Sequence, residues 1–144
     1  MFNKWQTQTE HIQRELKAFA DRVPEILSVG LISVDGLRLG SYIKNPNVRE
    51  RGMAERAASG RSNDHEEEDR MAAMGAAMFS LGERISSELG GGEWEFSAIA
   101  GRKAKIFERL VDDETLIIAI ALPESSIDAM LPELKITCER LIQS

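Results

Sequence analysis

Lys44, Arg49, Arg51, Arg56 and Arg61 crowd one stretch of the chain, offset only by Glu50 and Glu55. An exposed arginine presented to a second protein can neutralise the charge that develops on a transferred phosphoryl group. Arg49, Arg51, Arg56 and Arg61 are therefore candidates for a partner-binding loop, against the commoner outcome of a solvated loop charge. The run Asp64-His65-Glu66-Glu67-Glu68-Asp69 follows. Consecutive carboxylates point around a helix start instead of converging on one atom. They read as negative charge favoured at a helix N-terminus and not as an acid/base pair. His65 stands beside acids, but His11 is far from it in the chain and no second ligand is spaced for a metal. Gly90-Gly91-Gly92 follows a helical pattern, whereas a phosphate-cradling loop precedes a helix and carries Lys-Ser/Thr. No nucleophile-elbow motif is present. Cys138 is the single cysteine, which excludes an intramolecular disulfide framework and a cysteine-based zinc cluster. It reads as a small buried hydrophobe on a C-terminal helix. These residues argue against an enzyme in its own right, and imply no catalytic residue, metal or cofactor.

The elements that must position these residues fit one domain over 1–144, with a long flexible loop at about 44–66. With 42% hydrophobic and 29% charged residues the balance is that of a globular protein. A formal net charge of −6 opposes a general role on nucleic acid or anionic membranes. The longest strongly apolar run, Leu116 to Leu122, is too short to cross a bilayer. Polar residues, not an apolar signal core, follow Met1-Phe2-Asn3-Lys4-Trp5. The expected location is cytoplasmic.

Ile12, Leu16, Phe19 and Val23 are spaced four, three and four, predicting a helix over about 6–22 that Pro24 ends. Two β-rich runs, 26–34 and 37–43, flank Asp35-Gly36, a strong hairpin signal. In the second run Leu37, Leu39 and Ser41 alternate with Arg38, Gly40 and Tyr42. Periodicity is then lost, with a short helix over 48–58 as an option. Met71, Met74, Met78, Leu81 and Ile85 form a heptad-like seam on a helix over 69–89, with Gly90 as its left-handed cap. Three strands follow at 93–100, 103–111 and 115–122. The last is apolar on both faces and so is expected at the centre of the sheet. Ile127, Met130, Leu131, Leu134, Cys138, Leu141 and Ile142 mark the inner face of a final helix with Pro132 inside it. The order helix-strand-strand-helix-strand-strand-strand-helix predicts an α/β fold, a five-stranded antiparallel sheet in an α/β/α sandwich.

This order resembles the Roadblock (dynein light-chain Roadblock, MglB-like) family. SVGLISVDGLRLGSY at 28–42 is similar to that family's first hairpin, and DRMAAMGAAMFSLGERISSELGGGE at 69–93 to its central helix. FSAIAGRKAKIFERLVDDETLIIAIAL at 96–122 is similar to its three-strand meander. The likeness covers about 12–142 outside the loop at 44–66, which is longer than the family's usual link. It implies a homodimer whose central helices pack together and whose edge strands join into one sheet. It also implies a regulator or binding platform for a small Ras-like GTPase, with GTPase activation as a further implied role. The alternative is a structural homodimerisation module in a larger scaffold. No nucleic acid and no membrane insertion are implied.

Two physical readings of the central helix compete. Met71, Met74, Met78, Leu81 and Ile85 can cover the domain's own sheet, leaving the small residues beside them for close approach of a second chain. The expected dimer interface is accordingly Ala72, Gly75, Ala76 and Phe79, with Trp94 and Phe96 from the following strand. Aromatic residues are enriched at interface cores, but two in one strand more often belong to the domain's own core.

Overall fold

The computed structural model describes residues 4–44 and 64–143. Arg49, Arg51, Arg56, Arg61 and the optional helix over 48–58 lie outside the described residues. A 3-10 turn, Lys4–Thr7, precedes α1 (Thr9–Arg22). Then come β1 (Ile26–Ser33), β2 (Arg38–Ile43), α2 (Asp64–Glu88), β3 (Phe96–Ala100), β4 (Lys105–Asp112), β5 (Thr115–Ala121) and α3 (Ile127–Ile142). The strands form one sheet in the order β2-β1-β5-β4-β3, antiparallel at every pairing. As its two apolar faces require, β5 is paired on both sides.

Helices α1 and α3 cover one face of this sheet. Ile12, Leu16, Phe19 and Ala20 from α1 meet Met130, Leu134, Cys138 and Leu141 from α3 over Val29, Leu31, Phe107, Ile117 and Ala119. Val23 leaves the helical conformation at φ −114°, ψ 101°, so α1 ends just before Pro24. The α3 start is capped by Ser126, whose side chain accepts a hydrogen bond from the Ala129 amide. Arg22 ties the two helices together, donating to Glu133 at 3.0 Å and Thr137 at 2.9 Å. At the other end buried Trp5 donates to Thr115 Oγ1 at 2.9 Å. Ile127 and Ile142, expected on the inner face of α3, are exposed instead. Both stand at the ends of the helix, beyond the packed stripe that runs from Met130 to Leu141.

The β1–β2 hairpin turns at Gly36, whose φ of 91° is the left-handed conformation the Asp-Gly pair predicts. Its alternation differs from expectation. Leu31 pairs with Gly40 but Ile32 with Arg38, so Leu39 is a bulge residue that shifts the faces of the strand. Leu37 falls in the turn and is exposed. Gly40 faces α1, where a Cβ would lie 2.6 Å from Ile12 Cγ2.

Helix α2 alone covers the opposite face, touching all five strands. Its sequence carries two interleaved stripes, each spaced three, four, three, four. Met71, Met74, Met78, Leu81 and Ile85 make one; Ala72, Gly75, Phe79, Gly82 and Ser86 make the other. The structure divides the expected assignment: Ala72 and Gly75 of the small stripe lie directly on the sheet, Met71 and Met78 pack against its core from the side as expected, and Met74, Leu81 and Ile85 are exposed on the flank. Ala72 and Gly75 are buried, and a Cβ on Gly75 would stand 2.5 Å from Ile32 Cδ1. On Gly82 it would stand 2.7 Å from Ser97 Oγ and 2.8 Å from Trp94 Nε1. Large side chains along this stripe would lift the helix off five strands at once, so the smaller stripe wins. Gly75→Leu is expected to destabilise the fold by about 1–3 kcal/mol through overpacking, despite the better helix propensity of leucine. Urea unfolding followed by circular dichroism measures it, and an unchanged midpoint would contradict the close approach described here.

Candidate functional site

The stripe turned away from the sheet is apolar. Met74 is 62% exposed and Leu81 60%, with Ile85 and Leu89 continuing the surface toward the helix end. Met71 and Met78 are half-buried, Met71 reaching down over Gly30. Between this flank and the sheet runs a groove of about 560 Å³. Its floor crosses the sheet through Ile43, Ile120, Ile118, Ile106 and Ile99, and its wall is Met71, Met74 and Met78. Glu67, Glu68 and Arg70 stand at one end. Beside the groove lies β3, the edge strand, with Ala98, Ile99 and Ala100 exposed. Among the described residues no strand pairs with its outer side. Contiguous apolar surface of this kind is characteristic of association sites.

The expected interface residues are distributed differently. Ala72 and Gly75 lie beneath the helix, fully covered by the chain's own sheet, where a second chain cannot reach them. Ala76 is half-buried beside the β1–β2 turn, with its Cβ 3.8 Å from the point a Cβ on Gly36 would occupy. Phe79 and Trp94 pack on each other edge to face, ring centroids 5.0 Å apart, and Trp94 Nε1 donates to Ser97 Oγ at 2.8 Å. This pair fastens the second half of α2 to the segment ahead of β3. Trp94 itself lies outside β3, which begins at Phe96, and Phe96 is half-buried. The acidic run is engaged at its end: Arg38 on β2 bonds Glu68 and reaches Asp69 at 3.2 Å. Such exposed pairs contribute little to stability, so the run anchors the helix start. Lys44 is directed inward, donating to the Ala20 and Val23 carbonyls at 2.7 and 3.2 Å.

One group had no signal in the sequence. Glu108 of β4 is completely buried on the α2 face. Among the described residues neither of its carboxyl oxygens has a hydrogen-bond partner. A Cβ on Gly75 would meet Glu108 Oε2 at 2.9 Å. Burial alone pushes its carboxyl up to about 8. Strand alternation places residue 108 on the face of Ile106 and Leu110, but "ERL" in a β-rich run reads as ordinary mixed polarity. Burial also pushes the Cys138 thiol up to about 11, in keeping with an inert core position. Among the described residues no cluster of three His, Cys, Asp or Glu side chains could hold a metal. Among the described residues no helix is long and apolar enough to cross a membrane.

Residues 57–121 match the Roadblock/LC7 domain. The chain has the Roadblock/LC7 fold. A Roadblock/LC7 domain from Streptomyces avermitilis is 19% identical, aligns over 91% of this chain and 94% of its own, and superposes with a TM-score of 0.70. The gliding protein MglB from Thermus thermophilus is 12% identical over 99% and 92% of the two chains, with a TM-score of 0.71. An MglB in a tetrameric arrangement is 11% identical over 99% and 91%, also at 0.71. None of the curated protein sequences matches the chain. At these identities the likeness to solved structures establishes the fold. The resemblance noted on residues 28–42, 69–93 and 96–122 therefore holds, and so does the five-stranded antiparallel sandwich.

Glu108 makes stability depend on pH in a defined window. The carboxyl titrates near 4.5 when unfolded and near 8 when folded, so between these the folded state holds a proton that the unfolded state releases. Its contribution is most favourable below about 4.5, falls as pH rises, and levels off above about 8. Urea unfolding at about pH 5 and about pH 8 is expected to show a loss of several kcal/mol in the parent chain. Glu108→Gln, which keeps the shape and cannot ionise, is expected to remove most of that loss. Equal slopes in the two proteins would contradict the burial of an unpartnered carboxyl.

Proposed function

We propose that this chain is a homodimeric, non-enzymatic regulator or binding platform for a small Ras-like GTPase. The Roadblock/LC7 match and the likeness to MglB structures support a regulator of this family. The observation that carries the dimer is the mismatch between α2 and the sheet beneath it. A 25-residue helix is about 37 Å long, whereas five strands span about 19 Å from first to last. Gly82 lies over Trp94 and Ser97 beside edge strand β3. From there the helix runs on toward its end with Ile85 and Leu89 exposed, next to exposed Leu81. The groove along the same flank of that helix is largely apolar, open, and floored by Ile99 at that edge. A two-fold axis normal to the sheet at the outer side of β3 would lay the projecting end of each helix into the groove of the other copy. That is a self-complementary interface with each copy giving and receiving the same feature.

A small-GTPase partner follows from the family resemblance, and the face of the paired helices is the surface offered to it. The loop arginines, Arg49, Arg51, Arg56 and Arg61, are proposed as affinity contacts of that partner. Light scattering in solution is expected to give a dimer mass for the parent chain. Leu81→Asp with Ile85→Asp is expected to give a folded monomer, because both side chains are exposed within one copy. A parent chain that is monomeric at the highest workable concentration would overturn the dimer. Pull-down with a cognate small GTPase loaded with GDP or GTP tests the partner. Binding that depends on nucleotide supports the reading, and indifference of the dimer to both states would leave a structural dimerisation module. Charge reversal at the four arginines is expected to weaken GTPase binding by about tenfold or more while leaving the turnover of bound GTPase nearly unchanged. Lost turnover with binding intact would instead assign an arginine a direct role in hydrolysis.

A further inference from the structure

Glu108 lies under α2, the helix whose flank carries the proposed dimer face. Its carboxyl is enclosed by Ile106 and Leu110 on its own strand, by Ile118 and Ser97 across from it on β5 and β3, and by Gly75 above. Among the described residues no charged group compensates it. Strands β3 and β5 contain no charged residue. On β4, Lys105 and Arg109 alternate to the opposite face, Lys105 donating to the Ser125 carbonyl and Arg109 acting on Cys138 of α3. On α2 the charged residues cluster at 66–70 and 83–88, toward the two ends, leaving the stretch above Glu108 uncharged.

We propose that Glu108 is a proton-controlled lock on α2: protonated, it lets the helix lie on the sheet, and ionised, it drives the helix off. The physical reason is that an ionised carboxylate has no hydrogen-bond partner among the described residues in that space, and its solvation demands several kcal/mol. Two outcomes relieve it: a proton is taken up, or the covering element moves. The element most easily moved is α2, because it alone covers this face and, of its residues there, only Ala72 and Gly75 are fully buried, with Met71, Met78 and Phe79 partly so. Four apolar residues, Ile32, Ala72, Leu116 and Ile118, form the fully buried centre of that contact, far fewer than hold α1 and α3. Movement of α2 also displaces Met74, Leu81 and Ile85 relative to the groove, so the dimer loosens when Glu108 ionises. This last consequence, unlike the lock itself, rests on the dimer reading.

The chain provides its own reporters. Trp94 packs on Phe79 of α2, whereas Trp5 is buried on the other face with Thr115. In protein labelled with 5-fluorotryptophan, the Trp94 fluorine resonance is expected to change between about pH 6 and about pH 10, with its midpoint near 8. The Trp5 resonance stays in place, which separates helix movement from global unfolding. Sedimentation in the same samples is expected to show dimer affinity falling by about tenfold or more. Glu108→Gln abolishes both changes, and Glu108→Met serves the same purpose should the glutamine variant fail to fold. A Trp94 resonance without a transition, or one that persists in the variants, overturns the lock. A transition at Trp94 alone, in a chain monomeric throughout, upholds the lock and overturns the dimer. A dimer with no transition does the reverse.

Discussion

The arrangement of this molecule depends on how closely α2 approaches the sheet. A helix that crosses five strands must clear all of them along one line, so the residues at its closest points set the distance for the whole element, while Phe79 on the same line is taken up edge to face by Trp94. Ala72, Gly75 and Gly82 keep the line low, and at Gly75 and Gly82 even a methyl group would collide. Three features follow from that single constraint. The methionines and leucine of the neighbouring stripe are rotated onto the flank. The flank and the sheet enclose a groove. And the carboxyl of Glu108 is sealed beneath backbone instead of beneath a long side chain that could be pushed aside.

The two faces of the sheet are held by different means. On the α1/α3 face large side chains interdigitate, and polar ties such as Arg22 to Glu133 and Thr137 link the helices. At roughly 1.5–3 kcal/mol for each fully buried Leu, Ile or Phe, that face supplies most of the burial energy. The α2 face has a small buried centre and keeps much of its apolar surface open. A helix held by fewer large contacts moves more readily than its surroundings. This division places stability on one side and association on the other, which lets the α2 face change without loss of the domain.

Much of the fold was legible in the residues. Alternating and helical spacing located the elements, Asp35-Gly36 located the hairpin, and the doubly apolar run 116–122 located the central strand. The assignment of α2's faces was not legible, for a definite reason. Both of its stripes repeat at three and four residues, so periodicity favours neither, and the rule that large apolar residues cover a core holds for Met71 and Met78 but fails for Met74, Leu81 and Ile85. The deciding quantity is the clearance between helix and sheet, a property of the assembled layers. The same holds for Glu108. Alternation alone shows which face it takes, while burial depends on Gly75 lying above it, and those residues are far apart in the chain. The β2 alternation failed differently, because a single bulge at Leu39 exchanges the faces of the residues around it.

Fold likeness alone does not separate a regulator from a scaffold, since one architecture hosts many roles. What this chain adds to its fold is a pair of matched features on one helix, an apolar end that outruns the sheet and an apolar groove of its own. In a lone copy each would leave aliphatic surface in water. Burying both sets in a symmetric pair removes two such surfaces for each interface formed, at about 25 cal/mol per Å² of apolar area. Because the end and the groove lie on the same rigid helix, they cannot be tuned separately. Anything that tilts α2 misaligns both contacts at once. The element that builds the dimer face is thus the one most sensitive to what lies beneath it, and beneath it lies a carboxyl without a partner. In the proposed dimer, association and protonation would be coupled through the geometry of a single helix, with no second moving part required.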